Sequence, residues 1–303
     1  MMRATVRVPA SVANLGPGFD MLALALQVQN EVVATATEEG TIAIEVDDVG
    51  DVPELLDPDY NLVARAYNEA CTRLDIPEAQ RGVRLHCANA IPVAAGMGSS
   101  AAATLSGVLV AVALHRAAWD ERDILGCAAG FEGHLDNLAA ALLGGLVICA
   151  PGASVQRIDA PDEMHAVIFT PDERLTTREA REVVPREFSR EDAIFNAARC
   201  ALLVRAVTLR DYAALREAMD DRWHQPHRAA LLPATGVLIE AAYDAGADGA
   251  CLAGAGPSVL ALCSRDPQPV SAAMEATAEL LTMPGTALTV RPRNFGARVE
   301  VRA

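Results

Sequence analysis

The 303-residue sequence predicts an α+β fold in two domains, and three observations support this prediction. Segments with strand periodicity alternate with segments of helical periodicity, but not in the regular strand–helix order of a parallel sheet. Several strand-like segments come before the first helical one. Pro151 and Gly152 then break the pattern near the middle of the chain, as residues at a boundary often do. We therefore expect an N-terminal domain over residues 1–152 and a C-terminal domain over residues 153–303.

The first half opens with alternating apolar and polar residues in ATVRVPA, EVVATAT and TIAIEVD, which predict strands. NLVARAYNEACTRLD has the apolar spacing of a helix, and VRLHCAN is strand-like. After Gly98, a segment of small residues predicts a helix to about His115. Two further helices are expected near residues 124–130 and 135–143, followed by a strand at GGLVICA.

The second half begins with the strand-like HAVIFT. Helical patterns are expected near residues 190–220 and 237–245, and a GAGPS turn then separates two strands. A helix over residues 270–281 and two short strands, ALTVRP and ARVEVR, complete the prediction.

The composition excludes several classes of function. The net charge is −15 and arginines are not clustered, which argues against binding to nucleic acid or to an anionic membrane. No apolar run reaches the roughly 18 residues of a membrane span, and the N-terminus has no apolar block typical of a signal peptide. The seven cysteines form no CxxC pair, so we expect buried thiols and no zinc cluster. A cytoplasmic protein is the expectation.

The segment IPVAAGMGSSAAATLSG, residues 91–107, has the composition of a phosphate-binding loop that leads into a helix. Glycines at 96 and 98 would let the backbone approach phosphate oxygens, and the helix N-terminus favours anions. Ser99 and Ser100 can cap the helix, and a hydroxyl there can bind Mg²⁺. All 25 basic residues are arginines, which excludes a Walker A nucleotidase and a protein kinase. An ordinary strand–helix turn with capping serines is the alternative.

Three segments together resemble the ordered motifs of the GHMP kinase family. They are VPASVANLGPGFDMLALAL near the N-terminus, PVAAGMGSSAAA, and CLAGAGPSVLAL near the C-terminus. ANLGPGFD is most similar to the family members that phosphorylate L-homoserine, and FEGHLDNLAAALLGG, TTREAREVVP and HQPHRAALLP support the same similarity. The resemblance extends over the whole chain.

The resemblance implies a two-domain fold, with an N-terminal ribosomal-protein-S5-domain-2-like domain and a C-terminal ferredoxin-like domain. ATP and the second substrate are expected between them. The implied activity is ATP-dependent phosphorylation of the side-chain hydroxyl of L-homoserine to O-phospho-L-homoserine, on the route to threonine. A homodimer is also expected. Two alternatives remain open: a family member that acts on another small alcohol, and a binding protein without turnover.

The resemblance assigns six residues to the amino-acid substrate: Asn14, Asp20, His134, Asn137, Arg181 and Arg228. The two arginines are assigned to the substrate carboxylate, which guanidinium groups bind in a bidentate way. The alternatives are turn formation for Asn14 and Asp20, an ordinary core or surface residue for His134, and solvated surface sites for the arginines.

Asn14 and Asn137 are assigned a catalytic role because they would orient the substrate hydroxyl. Asn137 stands where some relatives carry a catalytic aspartate, and an amide cannot act as a general base at neutral pH. We therefore expect attack on the γ-phosphorus without a strong protein base. Asp136 remains open as an alternative base.

The resemblance also assigns residues to ATP: Asn61, Pro92, Val93, Ala94, Ala95, Gly96, Met97, Gly98, Ser99, Ser100, Ala101, Ala102, Gly254 and Gly256. Ser100 and Glu132 are the expected Mg²⁺ ligands, since hard oxygen atoms suit this ion. The alternatives are a surface carboxylate for Glu132 and a tight hairpin for the two C-terminal glycines.

Overall fold

The computed structural model describes residues 2–47, 52–93, 95–152, 154–173 and 175–302. The strands are β1 (Arg3–Asn14), β2 (Gly18–Ala36), β3 (Ile42–Val46), β4 (Val83–Ala88), β5 (Leu146–Ile148), β6 (Gln156–Ile158), β7 (His165–Pro171), β8 (Gly249–Leu252), β9 (Val259–Cys263), β10 (Gly285–Val290) and β11 (Arg298–Arg302). The helices are α1 (Leu62–Arg73), α2 (Ser99–Leu114), α3 (Glu121–Glu132), α4 (Asp136–Leu143), α5 (Thr177–Glu182), α6 (Arg190–Leu209), α7 (Leu215–Ala218), α8 (Gln225–Arg228), α9 (Pro233–Asp244) and α10 (Gln268–Leu280). The predicted helices after Gly98 and near residues 124–130 and 135–143 are confirmed.

The first sheet has the strand order β11-β1-β2-β4-β3, and β5 and β6 extend it beside β2. A long antiparallel hairpin of β1 and β2 forms its centre, while β3 and β4 are parallel. The alternating pattern at the start of β1 buries Ala4, Val6 and Val8, because successive side chains of a strand point to opposite faces.

The helices of the first half pack around α2, which is buried on nearly all sides. Gly107 permits the close approach of α1, since a Cβ atom here would lie 2.2 Å from the carbonyl oxygen of Val63. The small residues after Ser99 therefore allow α2 to pack in the interior. This places the helix N-terminus at a fixed position beside the end of β1, where Ser11 N donates to the Met97 carbonyl.

The second sheet has the antiparallel order β10-β7-β9-β8. Its own core contains Val167, Phe169 and Val259 from the strands, together with Leu238 of α9 and Met274 of α10. Two sheets, each covered by helices, give the α+β architecture that the sequence predicts.

The sheets do not divide at the expected boundary between residues 152 and 153. β6 pairs with β5, and β11 at the C-terminus pairs with β1 of the first sheet. Pro151 and Gly152 lie in the connection between two paired strands, which is why a local turn signal resembled a boundary. Ala153 lies outside the described residues. Among those described, none of the helices has the length and apolarity needed to span a bilayer.

Candidate active site

A cavity of about 470 Å³ lies between the two sheets and their helices. Most residues expected at the site line it: Asn14, Asp20, Asn61, Val93, Ala95, Gly96, Gly98, Ser99, Ser100, Glu132, His134, Asn137, Arg181, Arg228, Gly254 and Gly256. The end of β1, the start of α2, the α3–α4 junction, α5, α8 and the β8–β9 turn therefore meet around one space.

Four of the residues expected at ATP do not line this cavity. Met97, Ala101 and Ala102 are buried in the core, and Pro92 is exposed outside the cavity. Ala101 and Ala102 are fully buried because α2 is enclosed. Ala94 lies outside the described residues.

The expectation that Ser99 and Ser100 cap α2 is wrong. Gly98 is the N-cap residue, with a left-handed φ of 69°, and no side chain accepts from the first turn. The first helical hydrogen bond runs from Ala102 N to the Gly98 carbonyl. The N–H groups of Ser99, Ser100 and Ala101 therefore precede the helical bonding pattern, and a helix end of this kind attracts anions.

The glycines of this loop are required by contacts with neighbouring loops. Gly96 has a φ of 67°, and a Cβ atom here would lie 2.2 Å from the Ala253 carbonyl oxygen. A Cβ atom at Gly98 would lie 2.4 Å from Ser11 Oγ. Both positions need a residue without a side chain, both for the left-handed backbone and for the close approach.

Ser100 and Glu132 form an oxygen pair at the wall of the cavity. Ser100 Oγ donates to Glu132 Oε2 at 3.0 Å, and burial raises the pKa of the Glu132 carboxyl. A nearby cation would offset this burial, since it favours the charged carboxylate. The two hard oxygen ligands fit Mg²⁺.

Asn14 connects the first motif to the turn between β8 and β9. Its Nδ2 donates to the Gly254 carbonyl at 2.8 Å, and its Oδ1 accepts from Asp20 N at 3.1 Å. Asn14 and Asp20 both have positive φ, at 73° and 57°. These two polar residues tolerate such a backbone better than most, and the turn aims both side chains at the cavity.

His134, Asp136 and Asn137 form a hydrogen-bonded group at the start of α4. The buried Asp136 Oδ1 pairs with His134 Nδ1 at 2.6 Å and accepts from Asn137 N at 2.6 Å. The hydrogen bond to Asp136 raises the pKa of His134. Asn137 Oδ1 in turn accepts from Ser11 Oγ at 2.9 Å, so its position is fixed by β1.

Arg181 and Arg228 bring positive charge to the same side of the cavity. Arg181 forms a bidentate pair with Asp20, at 2.9 and 2.6 Å, and this pair raises the pKa of Arg181. Arg228 is only 1% exposed, and burial, together with the charge of Arg181, lowers its pKa to about 10. The ring of Phe19 lies 5.3 Å from the Arg181 guanidinium and 5.5 Å from that of Arg228.

Asn61 has a structural role at the edge of the cavity. It caps α1 by accepting from Val63 N at 2.8 Å, and its Nδ2 donates to the Leu55 carbonyl at 2.7 Å. With Val52, Leu55 and Tyr60 it lines one wall of the cavity.

Sequence reasoning missed two residues that support this site. Ser11 lies inside the first motif, and its hydroxyl bonds Asn137. His224 belongs to HQPHR, and its ring contacts both Arg228 and the Gly16 carbonyl. Each lies inside a motif that the sequence analysis had quoted, and this was the one signal that could have identified it. Ser11 contacts Asn137, 126 positions away, and His224 contacts Gly16, 208 positions away.

Comparison with known proteins identifies the family of the chain. The GHMP kinases N terminal domain model matches residues 61–145, and the GHMP kinases C terminal model matches residues 203–280. The chain is 39% identical over 264 residues to the homoserine kinase of Desulfitobacterium hafniense, with 86% of each protein covered. It is 38% identical over 294 residues to that of Synechococcus sp., covering 96% of this chain and 94% of the relative.

A solved structure gives the same result. The crystal structure of homoserine kinase from Cytophaga hutchinsonii is similar with a TM-score of 0.87 at 27% identity, covering 98% of this chain and 97% of that one. The fold, the ordered motifs and the curated relatives agree over nearly the whole length. The chain therefore belongs to the GHMP kinase family, and within it to the homoserine kinases.

Proposed function

We propose that the protein transfers the γ-phosphoryl group of ATP to the side-chain hydroxyl of L-homoserine, giving O-phospho-L-homoserine. One observation carries the proposal: a single cavity is lined by a helix N-terminus without a side-chain cap and by the charged residues Asp20, Arg181 and Arg228. The first feature suits a phosphate chain, and the second suits an ammonium and a carboxylate on one small molecule. The homoserine kinases among its relatives support the same substrates.

The amino-acid group of the substrate is proposed to bind among Asp20, Arg181 and Arg228. Asp20 is the partner for the ammonium, and the two guanidinium groups are partners for the carboxylate. Asp20 and Arg181 are paired with each other in the described structure. Each can therefore exchange its internal partner for one end of the zwitterion, so that neither charge is left without a partner.

The phosphate chain of ATP is proposed to lie against the first N–H groups of α2, with its adenine towards Val52, Leu55 and Tyr60. Ser100 and Glu132 would hold Mg²⁺, which when bound neutralises charge on the phosphate oxygens. The chain has no lysine, so the positive charge would come from the backbone donors and dipole of α2 and from the cation that these two side chains would hold. Phosphoryl transfer depends mainly on this positioning and neutralisation.

The substrate hydroxyl is proposed to be oriented by Asn14 and Asn137 without a strong base. The Oδ1 atoms of both amides already accept hydrogen bonds, from Asp20 N and from Ser11 Oγ. Asn14 Nδ2 already donates one N–H to the Gly254 carbonyl, so its second N–H and the Nδ2 group of Asn137 are the proposed donors to the substrate. The proton of the hydroxyl leaves towards the phosphate oxygens. Asp136 is a weaker candidate for a base, since its Oδ1 already bonds His134 and Asn137.

The deciding experiment is a coupled assay of ADP release with L-homoserine, mevalonate, galactose and L-threonine as acceptors. We expect turnover with L-homoserine to exceed that with each other acceptor by at least about a hundredfold in kcat/KM. A higher value for another alcohol would identify a different kinase of the family. No ADP release with any acceptor would favour a binding protein.

The family resemblance also supports a place on the route to threonine and assembly as a homodimer. Light scattering tests the second point, with twice the mass of one 31.9 kDa chain as the expected result.

A further inference from the structure

Arg228 is a buried cation whose fixed contacts are to neutral groups. Its Nε donates to the Ala180 carbonyl at 2.9 Å, and its Nη1 donates to the Gly254 carbonyl at 3.1 Å and to His224 Nδ1 at 3.0 Å. Among the described residues, no carboxylate lies within 4.0 Å of the guanidinium and no acceptor bonds Nη2. The side chain lines the cavity, so an edge of the guanidinium remains available to an anionic ligand.

The contacts of His224 determine its tautomer. A guanidinium group only donates hydrogen bonds, so the Nδ1 atom facing Arg228 carries no proton. The proton is therefore on Nε2, which donates to the Gly16 carbonyl at 2.8 Å. The ring is fully buried, and this burial lowers the pKa of His224 to about 4. His224 is neutral at physiological pH.

The two partners of His224 belong to separate parts of the site. Gly16 lies in the turn between Asn14 and Asp20 and has a positive φ of 84°. Arg228 is the last residue of α8. Asp221 fixes the start of this helix, because its Oδ2 atom accepts from His224 N at 3.0 Å and from Gln225 N at 2.7 Å. His224 thus joins the turn that carries Asp20 to the helix that carries Arg228.

We propose that His224 is a positioning residue, which accepts a hydrogen bond from the Arg228 guanidinium and so holds it in the orientation that binds the carboxylate of an α-amino acid. The proposal rests on the proposed function, since it concerns the site for the substrate carboxylate. His224 does not line the cavity itself and acts through Arg228. The neutral imidazole accepts a hydrogen bond from Arg228 and adds no negative charge. The guanidinium is therefore oriented, and its positive charge remains available to the substrate carboxylate.

Two conservative variants separate the two contacts of the ring. Asparagine places its amide near the position of Nδ1, so His224→Asn keeps an acceptor for Arg228 and loses the bond to Gly16. Glutamine places its amide near the position of Nε2, so His224→Gln keeps the bond to Gly16 and loses the acceptor. The comparison tests whether the contact with Arg228 is the one that matters.

The assay compares L-homoserine with 3-aminopropan-1-ol, which has the same hydroxyl and ammonium but no carboxylate. We expect His224→Gln to raise the KM for L-homoserine about tenfold, as for the loss of one hydrogen bond to a charged group. The KM for ATP and the kcat/KM for 3-aminopropan-1-ol should change by less than about twofold. The KM of His224→Asn for L-homoserine should stay close to that of the wild type. The KM of the double variant His224→Gln, Arg228→Gln should be no higher than that of Arg228→Gln alone.

Equal losses for both acceptors in His224→Gln would show a general structural role and overturn the proposal, as would an unchanged KM for L-homoserine. The wild-type enzyme gives the separate result for the proposed function: if it does not phosphorylate L-homoserine, that function fails first. For a variant that does not fold, nitrogen-15 NMR of the wild-type histidines replaces the assay. We expect a neutral Nε2–H ring at pH 7 whose Nδ1 signal shifts when L-homoserine is added. An imidazolium or an Nδ1–H ring would contradict the proposal.

Discussion

At the scale of single residues, Arg228 is the side chain that we propose as the main partner of the substrate carboxylate. It is buried beside Phe19, and its backbone and histidine partners leave its positive charge uncompensated. A buried charge is costly unless it is paired. A ligand carboxylate would supply the missing partner, which is why this residue should govern the affinity for the amino acid.

Replacing this cation tests its role. Arg228→Gln should raise the KM for L-homoserine by about a hundredfold, because a buried, charge-assisted hydrogen-bonded pair is lost. The KM for ATP should change by less than about twofold, as measured in the coupled ADP assay. Arg210→Gln is the control, since Arg210 is an exposed partner of Glu163 at 3.2 Å. Equal effects of Arg228→Gln on both KM values would contradict the assignment.

A substitution of Asn137 tests the proposal that phosphoryl transfer proceeds without a strong protein base. Asn137→Asp removes its N–H donor and adds a carboxylate beside Asp136, so we expect turnover at neutral pH to fall by about tenfold. Steady-state kcat between pH 6 and 9 is the measurement. Asn68→Asp, at an exposed position on α1, provides the control for an added charge. A large rise in kcat at neutral pH would show that a base at this position accelerates transfer, and the mechanism would have to be revised.

At the scale of elements, the site depends on three loops that fit against one another. Gly96 lies against Ala253 of the β8–β9 turn, Gly98 lies against Ser11 of β1, and Asn14 bonds Gly254. Ser258 Oγ also donates to the Ala95 carbonyl at 2.7 Å. The three sequence motifs are thus in direct contact, and the N-terminus of α2 is held at their meeting point.

A single methyl group should disturb this fit. Gly98→Ala should lower the free energy of unfolding by about 3 kcal/mol, because the left-handed backbone and the contact with Ser11 Oγ both oppose a Cβ atom. Urea unfolding measures the change, and kcat/KM for ATP should fall with it.

Gly126→Ala is the matched control for this prediction. Gly126 lies within α3, and a Cβ atom there would have no neighbour within 4 Å. Alanine should raise the free energy of unfolding by about 0.5–1 kcal/mol, since it favours a helix over glycine. Similar effects at both glycines would refute the steric account of Gly98.

At the scale of the whole molecule, a central strand of the first sheet also carries residues of the site. β11 at the end of the chain completes the first sheet beside β1, and β1 leads directly to Ser11 and Asn14. His224 then connects the turn after β1 to the second half of the chain through Gly16 and Arg228. The stability of the fold should therefore respond to changes at this junction.

Acid should weaken the fold through His224. Its pKa is about 4 in the folded protein and close to 6.5 in an unfolded chain. Between these values the unfolded state binds a proton that the folded state does not, so stability falls as the pH is lowered from 6.5 towards 4. The contribution is on the order of 3 kcal/mol.

Urea unfolding of the wild type and of His224→Asn at pH 7 and pH 4.5 measures this contribution. The wild type should lose more free energy of unfolding over that range than the variant, which lacks the titrating ring. His134, whose pKa is raised by Asp136, has the opposite effect but is present in both proteins. An identical pH dependence would show that His224 is not buried in its neutral form.

The sequence predicted most elements because their signals are local. The helix that begins after Gly98, for example, follows from a run of small residues, and β1 follows from its alternation. The cap of α2 was predicted wrongly, because serine is the usual cap and only the close contact with Ser11 explains a left-handed glycine. The boundary predicted near residue 152 rests on a turn signal, and such a signal does not reveal which strands pair across it.

By itself, the sequence determined the class of fold, the family, the absence of a lysine-dependent phosphate loop and most residues of the cavity. Only the tertiary structure decided how those residues meet: Asp20 with Arg181, 161 positions away, and Asn137 with Ser11, 126 positions away. It also brought His224 between Gly16 and Arg228. The physical reason is that periodicity and turn preferences act between near neighbours in the chain. Pairings over such separations arise only when whole sheets and helices bury their apolar faces against one another.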